Sequence, residues 1–380
     1  AWGVPQVILP AANAVAIEPG SVLRAHGAAS GDEANLVLKP QVAAVWSDNT
    51  SATDTSDDHI LTPSKDWGGL VGVSSGQAVR ALRENVDTTV GGQVRIGAGA
   101  LLQGGEALLL DATNNTEMAA GAQLSGKALS VAASRIGIGG GSGGLVLDTD
   151  ALAQLSRAQS LTLHSYGSLD FYRSLDMRGL AQVVFDAAAL RGHGADAVQV
   201  QASHLTLQNT GASLSGAATG GGRLELSAGE LVLGAGDKTM SGFDQVLLSA
   251  SRRIAGEGTG SLDAGTAALT LRTPVLQGVS GSDQALRTQG QLVLQQDAQL
   301  DAQEMASLGR ASLGARLSLS GQGVTVALPV LALGGSIAVD AGTGNLTLAE
   351  QGRLHAGGLE KVFFDAAQDV DAGQISLASR

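Results

Sequence analysis

One stretch of nine residues recurs along this chain and constrains its fold more than any other feature. Gly179-Leu180-Ala181-Gln182-Val183-Val184-Phe185-Asp186-Ala187 returns as Gly242-Phe243-Asp244-Gln245-Val246-Leu247-Leu248-Ser249-Ala250 and again as Gly358-Leu359-Glu360-Lys361-Val362-Phe363-Phe364-Asp365-Ala366. Each copy reads Gly, apolar, two mainly polar positions, then a short apolar strand closed by a small or acidic residue and Ala. The spacings between copies are close to three and five periods of about 22, the scale of solenoid repeats.

Apolar triplets carry the same period. They start at Leu161, Val183, Leu205, Leu224, Val246, Leu269, Leu292, Leu317, Ile337 and Val362, in steps that average roughly 22 residues. Most alternate apolar-x-apolar, as in Leu269-Thr270-Leu271, which sends the first and third side chains to one face and the second to the other. Strands this short need neighbours stacked on both sides. The expected fold is an all-β, right-handed parallel β-helix with coils of roughly 22 residues, each holding three short faces joined by turns. Inward Leu, Val, Ile and Ala would pile into columns, each buried Leu contributing about 1.5–3 kcal/mol. An outer-membrane barrel would need strands of about ten alternating residues and aromatic girdles, and the sequence has neither.

Composition agrees with an aliphatic repeat array. Apolar residues make up 44% of the 380, yet aromatics only 3%, so the core must be built from Leu, Val, Ile and Ala. The 54 Gly fall between the triplets in no Gly-X-Y register, which excludes collagen. A net charge of −12 speaks against a nucleic-acid partner. With no Cys, disulfides, thiolate zinc sites and Cys nucleophiles are excluded. No apolar run long enough to span a membrane as a helix occurs, and neither a signal peptide nor an anchor is visible, so the chain reads as one β-helical domain, 1–380, cut from a longer protein.

Three stretches depart from the pattern. Residues 47–66 are polar, acidic and aperiodic between Trp46 and Trp67, and read as a protruding loop. Long loops carry function, so Trp46, Asp48, Asp54, Asp57, Asp58 and Trp67 are the candidate binding residues. Helical spacing at 150–158 and 302–308 predicts two short helices packed outside a wall.

The search for chemistry finds little. The glycine-rich bend from Ser134 to Gly144 superficially resembles a phosphate cradle, but no Lys-Ser/Thr follows, and a wide turn fits better. The six His residues show no zinc spacing, and His193 between two glycines reads as a solvated turn. Asp186 and Asp365, which follow strands, read as turn-closing residues rather than a carboxylate pair or calcium site. No nucleophile elbow or Ser-x-x-Lys appears. No catalytic residue, metal site or cofactor is assigned.

Leu161-Thr162-Leu163-His164-Ser165-Tyr166-Gly167-Ser168-Leu169-Asp170-Phe171-Tyr172 resembles a recurring segment of filamentous-haemagglutinin-type exoproteins of Gram-negative bacteria, and the surrounding Leu-x-Leu and Ala-Gly texture resembles their coils over essentially the whole chain. The resemblance implies an internal segment of a very large secreted or surface-displayed adhesin, a monomeric rod exported by an outer-membrane transporter under two-partner secretion. It implies attachment to host-cell or bacterial surface receptors or glycans. The family's N-terminal secretion domain is not in this sequence, and no family binding residue can be carried over. Two other readings stay open: a pectin-lyase-like lyase or hydrolase on the same architecture, and a passive stalk whose toxin or adhesive tip lies elsewhere.

Overall fold

The computed structural model describes residues 6–26, 36–39, 42–46, 59–60, 68–76, 81–83, 86–89, 91–194, 196–211, 216–363 and 366–380. They fall into two compact units, the first made of Ala1–Tyr172, Leu180–Ala187 and Gly211–Leu214, the second of Arg173–Gly179, Ala188–Thr210 and Ser215–Arg380. Each is a parallel β-helix of the right-handed form that crossover connections favour. Among the described residues no helix is long and apolar enough to cross a membrane.

In the first unit one coil consists of Gln93–Ile96, Leu101–Gln103 and Ala107–Ala112, and the next of Asn115–Met118, Gln123–Ser125 and Ala128–Ala133. These lie in three walls, here A, B and C. Val94 pairs with Thr116, Leu102 with Leu124 and Leu108 with Leu129, so each wall advances by one period per coil. The expected three-faced coil is therefore present. The third coil is longer, since Leu129 pairs with Leu161 and not with a residue one period on. Two insertions fill the difference. Ile136–Ile138 and Leu145–Leu147 lie side by side and parallel in wall A, joined only by the short glycine-rich bend. Parallel neighbours usually need a dozen or more residues between them, but strands of three residues, about 10 Å long, can be spanned by less.

The second insertion is helix α1, Thr149–Leu155, capped by Asp148, whose carboxylate accepts from the Ala151 N–H. It takes the place of the next wall-B strand. Ala151 and Leu155 are buried, and the Gln154 amide accepts from Leu124 N (2.9 Å) and donates to Ala122 O (3.0 Å). A primary amide presents the same donor and acceptor as a peptide group, so one side chain closes the edge a strand would have paired. The helix was expected to pack outside a wall; it completes one instead.

Two departures from an all-parallel stack occur near the N-terminal end. Gly69–Ser74 runs antiparallel between Gln6–Ala11 and Ala107–Ala112 in wall C. Every residue of it is buried, which suits a continuous Leu70-Val71-Gly72-Val73 run better than an alternating one. Leu36–Lys39 joins Val42–Trp46, His59–Ile60 and Ala81–Arg83 in a separate four-stranded sheet. Its neighbour Val42–Trp46 runs antiparallel to it, a pairing no coil could supply.

In the second unit one wall stacks Leu224, Val246, Leu269, Leu292, Val324 and Leu346, one period apart at every step except that from Leu292 to Val324. A second stacks Leu205, Leu231, Ile254, Leu276, Val330 and Leu354. The third stacks Leu262, Leu286, Leu319, Val339 and Leu377. The sequence triplets thus sample different walls: Leu205 belongs to the second, and Leu317 and Ile337 to the third. The long step after Leu292 again carries a helix, α2 at Ala302–Arg310, started by a capping box between Asp301 and Glu304. It lies largely exposed, as expected, and replaces a second-wall strand, so that Leu276 pairs directly with Val330.

The third copy of the nine-residue motif is not a coil strand. Leu359–Phe363 pairs antiparallel with Ala366–Val370 as a hairpin inserted between Arg353–His355 and Gln374–Ala378. Its two halves satisfy each other, so its near-multiple spacing has no structural meaning.

Candidate functional site

In wall C of the first unit, inward and outward residues alternate strictly. Leu108 and Leu110 point in, so Asp111 points out, and register places Asp111, Ala132, His164 and Asp186 in one outer column. An outer column should be wet, yet Asp111, Ala132 and Asp186 are buried. What covers it reaches in from the four-stranded sheet: Arg83 Nε lies 2.9 Å from Asp111 Oδ1, and both side chains are 3% exposed. Arg83 Nη2 also donates to Gly68 O at 3.2 Å.

Tyr166 closes the cluster from the other side. It stands at the corner between Ser160–Ser165 and Ser168–Phe171, where Ser165 Oγ accepts from Gly167 N and donates to Ser168 O. That turn throws the phenol outward, and its hydroxyl donates to Asp111, 3.2 and 3.1 Å from the two carboxylate oxygens. His164 packs edge-on against the Tyr166 ring, centroids 4.5 Å apart, with its Nδ1 3.1 Å from Asp186 Oδ2. Burial first, then the negative charge of Asp111, push the Tyr166 hydroxyl well above the usual tyrosine range, against an opposing pull from Arg83. The phenol stays neutral and donating. It is a strut, with no phenolate to offer.

This arrangement predicts a pH dependence. The folded pKa is raised, so the unfolded tyrosine ionises first, near pH 10. The stability held in the protonated folded form is complete below that pH and is lost as pH rises toward the folded pKa. Urea titrations between pH 9 and 11 should show wild type losing stability faster than Tyr166→Phe. Parallel curves would remove the phenol from the account.

Asp186, read from the sequence as closing a turn, is buried beside a histidine one coil away. A signal was present: His164 and Asp186 stand one period apart in the sequence. His193 lies exposed on the turn after Ala189–Gly192, as expected. Asp365 falls outside the described residues, as do Asp48, Asp54, Asp57, Asp58 and Trp67. Of the candidate binding residues only the backbone of Trp46 is placed, paired with His59.

The glycine-rich bend has a packing explanation. Arg135 Nη2 donates to the Tyr172 hydroxyl at 3.1 Å, its guanidinium sits 5.9 Å from the ring centre, and its Nε lies 3.1 Å from the buried Asp170. The Tyr172 ring lies against Gly140 and Gly141; a Cβ on Gly141, at φ +98°, would meet the ring at 2.7 Å. Gly140 and Gly141 make room for an aromatic–guanidinium stack. In the second unit Lys238 points into the third-wall core beside Leu262. Its fully buried amine donates to the carbonyls of Gly234 (2.6 Å), Ala235 and Gly236.

Each buried carboxylate therefore has a structural partner: Asp111 has Arg83 and Tyr166, Asp186 has His164, and Asp170 has Arg135 and the Ser168 hydroxyl. Among the described residues no three His, Asp or Glu side chains gather as a metal site would require. Compared with known proteins, the chain matches no family model, no curated protein and no solved structure.

Proposed function

We propose that this chain is a structural and adhesive segment of a secreted or surface-displayed bacterial adhesin of the filamentous-haemagglutinin type, and not an enzyme. The observation that carries the reading is that the buried charged groups are spent on holding the coils and their inserts together, while the walls keep close to a single period wherever no insert intervenes. The segment that resembles the family, 161–172, supports it too: it forms the corner that sets Tyr166 and His164 against the outer wall. On this reading the full protein would reach the surface through an outer-membrane transporter and would meet receptors or glycans of host cells or other bacteria. Repeated weak contacts along stacked walls would supply avidity.

The test is attachment. Fluorescently labelled chain should be retained saturably on epithelial or bacterial cells and should not release unsaturated products from pectin, alginate or hyaluronan. Turnover abolished by Asp186→Asn or His193→Ala in a folded variant would make the protein a polysaccharide-acting enzyme. Absence of both turnover and retention would leave a passive stalk.

A further inference from the structure

The corner between the first and second walls of the second unit is broken where α2 replaces a strand. A recess of about 490 Å³ opens there, lined by Gln295, Gln296, Asp297, Gln299, Ala327 and Gln351. Its position follows from the register. Gln295 ends one first-wall strand, Ala327 is its partner one coil on, and Gln351 lies in the turn of the coil after that. Two coil spacings of about 4.8 Å separate the outer amides by roughly 9–10 Å. Ala327 between them reaches out by a single methyl group and so forms a low floor. The backbone is fixed on both sides: Gln296 N donates to Ala327 O (3.1 Å), Thr273 N to Gln295 O (3.0 Å), and Gly352 N to Ala349 O (2.9 Å).

We infer that this recess is a binding site for a neutral, hydroxyl-rich saccharide. Among the described residues none of the four glutamine amides is hydrogen-bonded to the protein, so each presents a donor and an acceptor to whatever fills the recess. Sugar hydroxyls are likewise both donors and acceptors. Among the described residues the only charge in the lining is Asp297, which with a net charge of −12 disfavours acidic glycans. Among the described residues no aromatic or large aliphatic side chain lines it, which removes apolar ligands and leaves hydrogen bonding as the source of affinity. The inference rests on the adhesive reading and gives it a place and a ligand class. Hydrogen bonds to flexible, exposed amides without stacking imply weak binding, a Kd of about 1–10 mM, adequate only under multivalent display.

The experiment is saturation-transfer NMR on the purified chain with neutral gluco-, galacto- and manno-hexasaccharides, and with hyaluronan and heparin oligosaccharides. At least one neutral sugar should bind saturably, the acidic ones should not, and Gln295→Ala/Gln351→Ala should weaken the neutral sugar tenfold or more. Unchanged circular dichroism and melting would show that the double variant is folded. No neutral binding up to about 20 mM, equal binding by the double variant, or preference for the acidic sugars would each overturn the site. The wild-type chain on cells separates the two claims: retention that survives while neutral sugars fail to bind it sinks the recess and keeps the adhesive reading. Loss of retention by the wild-type chain itself sinks the adhesive reading.

Discussion

Leu271→Asp should unfold its part of the second unit, while Thr270→Asp, one residue away, should cost about 1 kcal/mol or less. Leu248, Leu271 and Leu294 stack in register and are all wholly buried. A carboxylate in that column has no cation or donor to meet it. Several kcal/mol of desolvation would add to the roughly 1.5–3 kcal/mol lost with the leucine. Thr270 points outward between Leu247 and Val293 and is half-buried, so an Asp there keeps access to water. Because solenoid coils couple mainly to their neighbours, amide exchange in Leu271→Asp should quicken most across residues 246–294 and less toward 346. If Thr270→Asp proved the more damaging, the inside and outside of this wall would be exchanged. Uniform loss of protection throughout would show that the coils do not act locally.

The same periodicity explains what was legible in the sequence. A strand of three residues with period-2 alternation has one way to bury its leucines, so the inward columns could be read directly from Leu161, Leu224 or Leu269. Both helices were visible from the helical spacing of their residues, although only the structure shows that Asp148 and Asp301 cap them and that Gln154 takes over the hydrogen bonds of a missing strand. Polar partners one coil apart were also legible in principle. Ser227 and Ser249 hydroxyls meet at 2.8 Å, Ser174 donates to Asp196, and His164 meets Asp186, each pair one period apart in the chain. Where no insert intervenes, subtracting one period from an outward polar residue would have proposed its neighbour.

What stayed hidden has no period. The pairs Arg83–Asp111 and Asp111–Tyr166 are 28 and 55 residues apart, set by where an inserted sheet lands on a wall. The third copy of the repeated motif misled because a hairpin and a coil strand ask for the same apolar alternation. Lys238 was invisible because a buried amine answered by backbone carbonyls leaves no mark on the side chains around it. The amide recess depends on which coil gives up a strand, and residue order alone does not say that.

The inserted sheet is where a single substitution should do most harm in the first unit. Arg83→Ala would leave Asp111 charged and buried, with only the Tyr166 hydroxyl donating to it, and losing one partner of a buried pair costs about 3–5 kcal/mol. Removing both charges is a different matter. Arg83→Met with Asp111→Leu replaces the pair by apolar groups of similar size, which elsewhere is near neutral, but it strands the Tyr166 hydroxyl without its acceptor, a cost of about 1–3 kcal/mol. Adding Tyr166→Phe removes that orphan as well. The expected order of stability in urea is therefore wild type close to the triple variant, then the double, then Arg83→Ala. Limited proteolysis should follow the same order, with cleavage between residues 27 and 90 appearing first in Arg83→Ala as the sheet comes away from the wall. A single variant within about 1 kcal/mol of wild type would mean that the pair is wet in solution and that the sheet is held by something other than Arg83. A triple variant as weak as Arg83→Ala would mean that the charges themselves, and not merely their mutual neutralisation, place the sheet.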